Sequence, residues 1–466
     1  MSYPVTDTIT AAPPLPHPVK ADLVTRPLGF FGSLRAARSN LLDIIPELAV
    51  RQPIVSGKTG ARWHMIMDPT ALRRVLLERV EDYPKSVVTK NLLRPAIGNS
   101  MFVAEGAHWR WQRRAAAPAF SHRNIANLSP LMTAAAEACS DRLHLSGPKR
   151  AVDIYQEMVR ATFQVITDVT LSGDGQFDQA AMHRAIDGYI DAAGRVSVLD
   201  MLGLPGWVPR PGRMTSGGAV ARMKSVADTA IASRQSGGRT RPGPPDLLDL
   251  LLAGEDPDTG RRMRTAELRD NLLTFIVAGH ETTALTLAWA LYLCGTAPDI
   301  QTAAAEEAAD RLGGRTATQA DIADLPLTRA IIDEALRLYP PAGLISRTAQ
   351  SADTLCGRDI RPGDTVMIPI YALHRNHLLW QDPDTFRPER FTGASIDRYA
   401  YLPFGDGPRI CIGAGFAIQE AVIILATLLS RFRFAAVPGR TPKPVLILTT
   451  RPEGGVWMTA HPRPGN

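Results

Sequence analysis

The run FIVAGHETTALTLAWAL lies inside a continuous apolar stretch from about residue 272 to 293, and it sets the tightest limit on what this chain can fold into. The stretch approaches the ~20 residues of a membrane-spanning helix. His280 and Glu281 stand near its middle, however, where a charge is costly in hydrocarbon. A helix passing through a protein core satisfies both facts. The spacing predicts that helix over residues 265–296, with Thr265 as its N-cap. Only a large chain can surround such a helix, and 466 residues at 45% apolar content supply one. The same figures exclude a disordered chain and a small cross-linked scaffold.

Helical periodicity dominates elsewhere, over about 68–80, 107–119, 124–145, 154–171, 177–194, 213–234, 298–311, 325–338 and 414–431. Strand-like pieces are few: 62–66, 354–355, 365–370, 444–449 and 455–460. The expected class is mainly α with a small β portion, an α+β fold. The first twenty residues form a Pro-rich arm with no basic segment and no apolar segment, so no signal peptide or anchor is expected; residues 21–466 then make one domain. Pro383, Pro388, Pro403 and Pro408 break the approach to Cys411 into loop, which side-chain contacts must hold in place.

The net charge of +6 is carried almost wholly by dispersed arginines, which argues against a nucleic-acid-binding tail and leaves room for a local patch that steers an acidic partner. Cys139, Cys294, Cys356 and Cys411 stand far apart, with no C-x-x-C pair. Neither a zinc site nor a disulfide framework follows, and a cytoplasmic location fits.

Four constellations could carry chemistry. Cys411 lies in PFGDGPRICIGAGF at the start of an apolar helix, where amide N–H groups, the helix dipole and Arg409 would stabilise a thiolate; a buried inert thiol is the plain alternative. In AGHETT, Ala278 and Gly279 leave a notch for a flat ligand, and Glu281 beside Thr282 pairs an acid with an alcohol able to relay protons. The plain alternative there is a core helix whose hydroxyls bond back to the preceding turn. HETTA lacks the second histidine of a zinc protease motif, since Ala284 occupies that place. Glu334 and Arg337 are three apart on one helix among apolar neighbours, with Arg390 of FRPERF as a third member. Trp109 and Arg113 share a helix face, where an indole N–H and a guanidinium could clamp a carboxylate.

The order and spacing of these pieces, from Trp109…Arg113 through AGHETT and Glu334-x-x-Arg337 to PERF and F-G-x-G-x-R-x-C-x-G at Phe404–Gly413, closely resemble the cytochrome P450 family of haem-thiolate monooxygenases. The resemblance implies a triangular prism of about a dozen helices around haem b. It implies Cys411 as the iron ligand, with Phe404 packed near it. Arg409, Trp109, Arg113 and Arg347 would hold the propionates. Glu334, Arg337 and Arg390 would form a structural network behind the haem. In the same way it implies O₂ as co-substrate, held in the space left by Ala278 and Gly279, with Thr282 and Glu281 delivering protons.

Electrons would come from a ferredoxin or flavodoxin and its NAD(P)H-dependent reductase, docking on a basic face near Cys411, with no reductase domain fused and the protein a monomer. Ala342, Leu344, Ile345 and Thr449 would line the pocket for a lipophilic fatty acid, terpenoid, carotenoid or steroid, which the enzyme would hydroxylate or epoxidise. The apolar 196–210 connection is a candidate lid or peripheral lipid contact without a membrane span. Two alternatives stay open: a peroxide-using or isomerase-like enzyme on the same fold, and a non-catalytic haem or ligand carrier.

Overall fold

The computed structural model describes residues 17–171, 182, 184–186, 188–189, 217–237, 244–393 and 395–464. Within these, the α-helices of five or more residues are α1 (Phe30–Ser39), α2 (Pro69–Arg73), α3 (Val87–Ile97), α4 (Gly106–Ala116), α5 (His122–Ser146), α6 (Ile154–Leu171), α7 (Gly217–Gln235), α8 (Leu247–Ala253), α9 (Thr265–Thr296), α10 (Pro298–Leu312), α11 (Pro326–Leu338) and α12 (Ala414–Arg431). The strands are β1 (Ile54–Thr59), β2 (Ala61–Ile66), β3 (Val152–Asp153), β4 (Ile345–Thr348), β5 (Asp353–Leu355), β6 (Arg358–Ile360), β7 (Thr365–Ile368), β8 (Phe432–Ala436), β9 (Lys443–Leu446), β10 (Thr450–Glu453) and β11 (Trp457–Pro462). The expected α+β class is the one observed.

Helix α9 spans the predicted residues and is buried along most of its length, packed on α6, α11 and α12. Its start differs by one position from the expected cap. Arg264, not Thr265, is the N-cap, because the Glu267 carboxylate reaches back 3.0 Å to the Arg264 amide. Helix α12 is apolar enough by length and composition to cross a membrane, yet it is largely buried against α5, α9, α10 and α11. A core helix passes the same test.

The largest sheet has the order β1-β2-β7-β4, with β2 and β7 parallel and the other pairs antiparallel. A second sheet, β3-β11-β8, packs on the other end of α9 through β8. Helices α1, α3 and α8 and strands β1, β3, β4, β6, β8 and β10 had no distinct signal in the spacing. The reasons are physical: α1 buries only Ala37, α3 carries Pro95 in its interior, and α8 has seven residues. The 196–210 connection lies outside the described residues.

Candidate active site

Cys411 is set by the loop before α12. Gly405 and Gly407 hold φ of +68° and +69°, which only glycine adopts without strain, and a Cβ on Gly407 would run into the Leu76 carbonyl. The loop closes with the Cys411 amide donating 2.9 Å to the Phe404 carbonyl. The Cys411 thiol borders a cavity of about 1330 Å³, which Phe404 and Arg409 also line. Its surroundings revise one expectation. Burial pushes the thiol above its ordinary value, and the groups that pull it back are the Gly413 amide and the Arg113 guanidinium, not Arg409.

One wall of the same cavity is α9. Ala278, Gly279, Thr282, Thr283 and Thr286 line it, and a Cβ on Gly279 would stand 3.2 Å from Ile166, so the notch is narrow and backbone-lined. The Thr282 hydroxyl donates to the Ala278 carbonyl at 2.8 Å, the back-bonded arrangement that was the plain alternative. Glu281 does not line the cavity. Adjacent residues of a helix point about 100° apart, and its carboxylate is buried in an ion pair with Arg451 of β10, where it also accepts the Tyr155 hydroxyl at 3.3 Å. The pairing of acid and alcohol read from the sequence is therefore split between two faces of α9.

The cationic end of the cavity gathers residues from four elements. Trp109 and Arg113 of α4, Arg347 of β4, Arg409 and the half-buried Lys85 all line it. The Arg409 guanidinium lies 4.0 Å over the Trp109 ring, donates 2.8 Å to the Ala104 carbonyl and pairs with Glu105. Glu105 also accepts the Lys85 amide at 2.9 Å and pairs with Lys90 at 3.3 Å. Among the described residues Arg113 and Arg347 have no hydrogen-bonded acceptor, and burial holds both below the usual guanidinium range, Arg347 at about 10. A buried cation without an acceptor is expensive. One carboxylate against the four basic side chains that line this end leaves a place for an anion with two negative groups.

A second cluster is almost fully paired, with Arg390 Nε its one buried donor lacking a hydrogen bond among the described residues. Arg337 is 0% exposed and donates to Glu334 at 2.6 and 2.8 Å, and to the carbonyls of His374, Pro383 and Thr385 at 2.7 to 3.0 Å. Arg390 donates to the Gln381 and Asp382 carbonyls at 2.5 and 2.6 Å and lies 3.4 Å from Glu334. Every carbonyl they bind belongs to the loop that precedes Cys411, so the network replaces the backbone ladder this segment lacks. His374, unremarked in the sequence, extends it: the Leu402 amide donates 2.9 Å to His374 Nε2, and Nδ1 donates to the Arg337 carbonyl at 3.2 Å. The acceptor role of Nε2 requires the neutral imidazole, and burial together with Arg337 pushes its pKa down to about 3.

The remaining wall is apolar. Ala342, Leu344 and Ile345 line it as expected. Thr449 does not. Ile447 and Leu448 face the cavity in its place, because the turn between β9 and β10, closed by the Ile447 amide on the Thr449 carbonyl at 3.4 Å, carries Thr449 out of line. Sequence spacing also missed the far end, where Phe30 of α1, Leu41 in the short helical turn after it, and Val55 and Trp63 of the β1–β2 hairpin extend the lining. No local motif marks them.

The residues present fit a flat macrocycle with two carboxylates and a thiolate-binding metal. A sulfur at a helix start, a backbone-lined notch, unmatched guanidinium groups and an indole N–H share one cavity. Its volume exceeds the about 300–1,000 Å³ of an ordinary single-ligand pocket, which suits a cofactor with a substrate beside it.

Comparison with known proteins agrees. A family model for cytochrome P450 matches residues 25–459. Two relatives are from Streptomyces melanosporofaciens. Cyclooctatin synthase is 32% identical over 430 residues, 91% of either chain. Cyclooctat-9-en-7-ol 5-monooxygenase is 34% identical over 447 residues, 94% of either chain. The Arabidopsis thaliana protein LUTEIN DEFICIENT 5, chloroplastic, is 28% identical over 403 residues, 81% of this chain and 66% of that one.

Proposed function

The chain belongs to the cytochrome P450 family, and from that premise we propose that it hydroxylates a lipophilic terpenoid-class molecule using electrons from a separate ferredoxin or flavodoxin and its reductase. The haem, when bound, supplies O₂ activation on a thiolate-ligated iron. In this reading Cys411 gives the sulfur ligand, and Trp109, Arg113, Arg347 and Arg409 take the two propionates, so that Arg409 shares its donors between Glu105 and the cofactor.

Thr282 is the hydroxyl nearest the chemistry. It can turn from the Ala278 carbonyl to hold a proton or a water in the notch. Glu281 supplies that proton only after its carboxylate leaves Arg451 and Tyr155, or through water that reaches it behind the helix. Glu334, Arg337 and Arg390 touch no part of the cavity and serve to hold the Cys411 loop.

The single observation that carries the reading is that the Cys411 thiol, the α9 notch and the unmatched arginines border one cavity. The substrate class rests on the mostly aliphatic and aromatic lining of the remaining wall and on two relatives whose names denote an alkenol monooxygenase and a synthase. The test is a panel of terpenoid alcohols, fatty acids and steroids. A terpenoid alcohol should shift the haem spin state and give an oxygenated product with ferredoxin, reductase and NADPH, and rising salt should slow the electron supply. Tight binding of terpenoids without oxygen consumption under any electron source, or turnover of fatty acids alone, would overturn the proposal.

A further inference from the structure

A second group of reactive side chains lies at the far end of the cavity, on the β1–β2 hairpin. Ser56 and His64 are directly opposed cross-strand partners, and the Ser56 hydroxyl is 2.8 Å from His64 Nδ1. On its other side, His64 Nε2 is 3.2 Å from the Asp364 carboxylate, at the start of β7. Asp364 is itself fixed by the Arg361 amide at 2.8 Å and by Arg62 at 3.3 Å. His64 and Asp364 are buried, whereas Ser56 is exposed and lines the cavity. With Nε2–H donating to Asp364, Nδ1 is left as the acceptor for the serine proton. An oriented, neutral base behind an accessible hydroxyl is the arrangement of an activated nucleophile, recognised by roles and not by sequence position. Burial keeps His64 below its ordinary value, against the opposing pull of Asp364, and Arg62 and Arg358 push in the same direction as burial.

The hairpin also brings positive charge. Lys58 is two residues from Ser56 and so projects from the same face. It pairs across the strands with Arg62, and both line the same cavity. A cation beside the nucleophile can stabilise the negative oxygen that forms when a carbonyl is attacked.

We propose that Ser56, His64 and Asp364 form a second reactive site that hydrolyses lipophilic carboxylic esters at the mouth of the cavity. Ser56 Oγ bonds to the ester carbonyl carbon while its proton passes to His64 Nδ1. The carbon–alkoxy bond then breaks and the alkoxide leaves with that proton. Water, deprotonated by His64, then bonds to the acyl carbon, the bond from that carbon to Ser56 Oγ breaks, and His64 returns the proton to Ser56 as the acid leaves. The sum is ester plus water giving acid plus alcohol, with no electron donor and no part for the haem. Asp364 is a positioning residue that keeps His64 in the productive tautomer.

The experiment uses the haem-loaded protein without reductase or NADPH. A fluorophosphonate probe should label Ser56, located by peptide mass, and p-nitrophenyl butyrate should be hydrolysed. Ser56→Ala should abolish labelling and lower hydrolysis about 100-fold or more, with the haem spectrum unchanged. Asp364→Asn should move the histidine limb of the pH–labelling profile to lower pH, because the carboxylate that raises the His64 pKa is gone. Labelling at another residue, hydrolysis that survives Ser56→Ala, or an unmoved profile in Asp364→Asn would overturn the proposal.

Discussion

Two sets of arginines withdrawn from bulk water, Arg337 and Arg390 against the buried Arg347 and half-buried Arg113, sit in this fold under opposite conditions. Arg337 and Arg390 meet acceptors at nearly every donor, in a cluster closed by Glu334 and by the carbonyls of the loop before Cys411. Arg113 and Arg347 face a cavity and meet none among the described residues. Burying a guanidinium costs free energy in both places. In the first the cost is offset inside the chain, so the cluster is architecture. In the second no offset lies inside the described chain, and in the proposed reading the haem propionates supply it, so the cluster would act as a receptor.

The largest expected effect breaks the first set. Arg337→Met leaves the buried Glu334 with only the Arg387 amide at 2.9 Å and Arg390 at 3.4 Å to answer it, and strips the loop carbonyls of their donor, which costs about 3–5 kcal/mol. Little soluble, haem-loaded protein should be recovered, measured as Soret absorbance per mole of chain. Full haem content and an unchanged urea midpoint would remove the network's assigned role.

Acid should loosen the same region. His374 has a folded pKa of about 3, below the about 6.5 of an unfolded histidine, so the unfolded chain takes up the proton first. The stability it allows is therefore complete above about pH 6.5 and is lost as pH falls from there toward about 3. His64, also pushed down by burial, adds to the same slope. Urea midpoints between pH 7 and 4.5 should fall in the wild type and fall less steeply in His374→Gln.

The receptor set should behave in the opposite sense. Arg347→Met removes a buried charge, and Arg113→Met a half-buried one, for which the described chain offers no acceptor, so the haem-free chain should be as stable as the wild type or more so. Haem affinity should nonetheless drop about 10- to 100-fold, the worth of one hydrogen bond to a charged group. Haem transfer to apomyoglobin measures this. Equal loss of stability in the haem-free chain would erase the distinction between the two sets. The smallest effect falls on the helix between them. Thr282→Ala should leave stability and haem content intact while product formed per NADPH consumed drops several-fold, and coupled turnover would contradict the role of that hydroxyl.

How much of this was legible in the sequence follows from the range of each interaction. Helix α9 and the glycine turn before Cys411 are local: a buried apolar run with a central notch, and two positions that demand positive φ. The Glu334–Arg337 pair is local too, being three residues apart on α11. The acceptors that complete it are the carbonyls of His374, Pro383 and Thr385, which no spacing rule finds. Glu281 shows the limit most clearly. Its neighbourhood with Thr282 is visible in the chain, but the direction of its carboxylate is decided by Arg451 and Tyr155, over a hundred residues away on either side. Glu105, which answers Arg409, and the Ser56–His64–Asp364 relay are joined only by the fold.

The central claim is that Cys411 ligates the haem at a site whose arginines await its carboxylates. The most direct measurement is the absorption spectrum of the reduced protein under carbon monoxide, in the wild type and in Cys411→His. The account predicts the strongly red-shifted Soret band of a thiolate-ligated haem in the wild type alone. A wild type that loads haem but gives the band of histidine or neutral-thiol ligation, or a Cys411→His protein that keeps the red-shifted band, would contradict it.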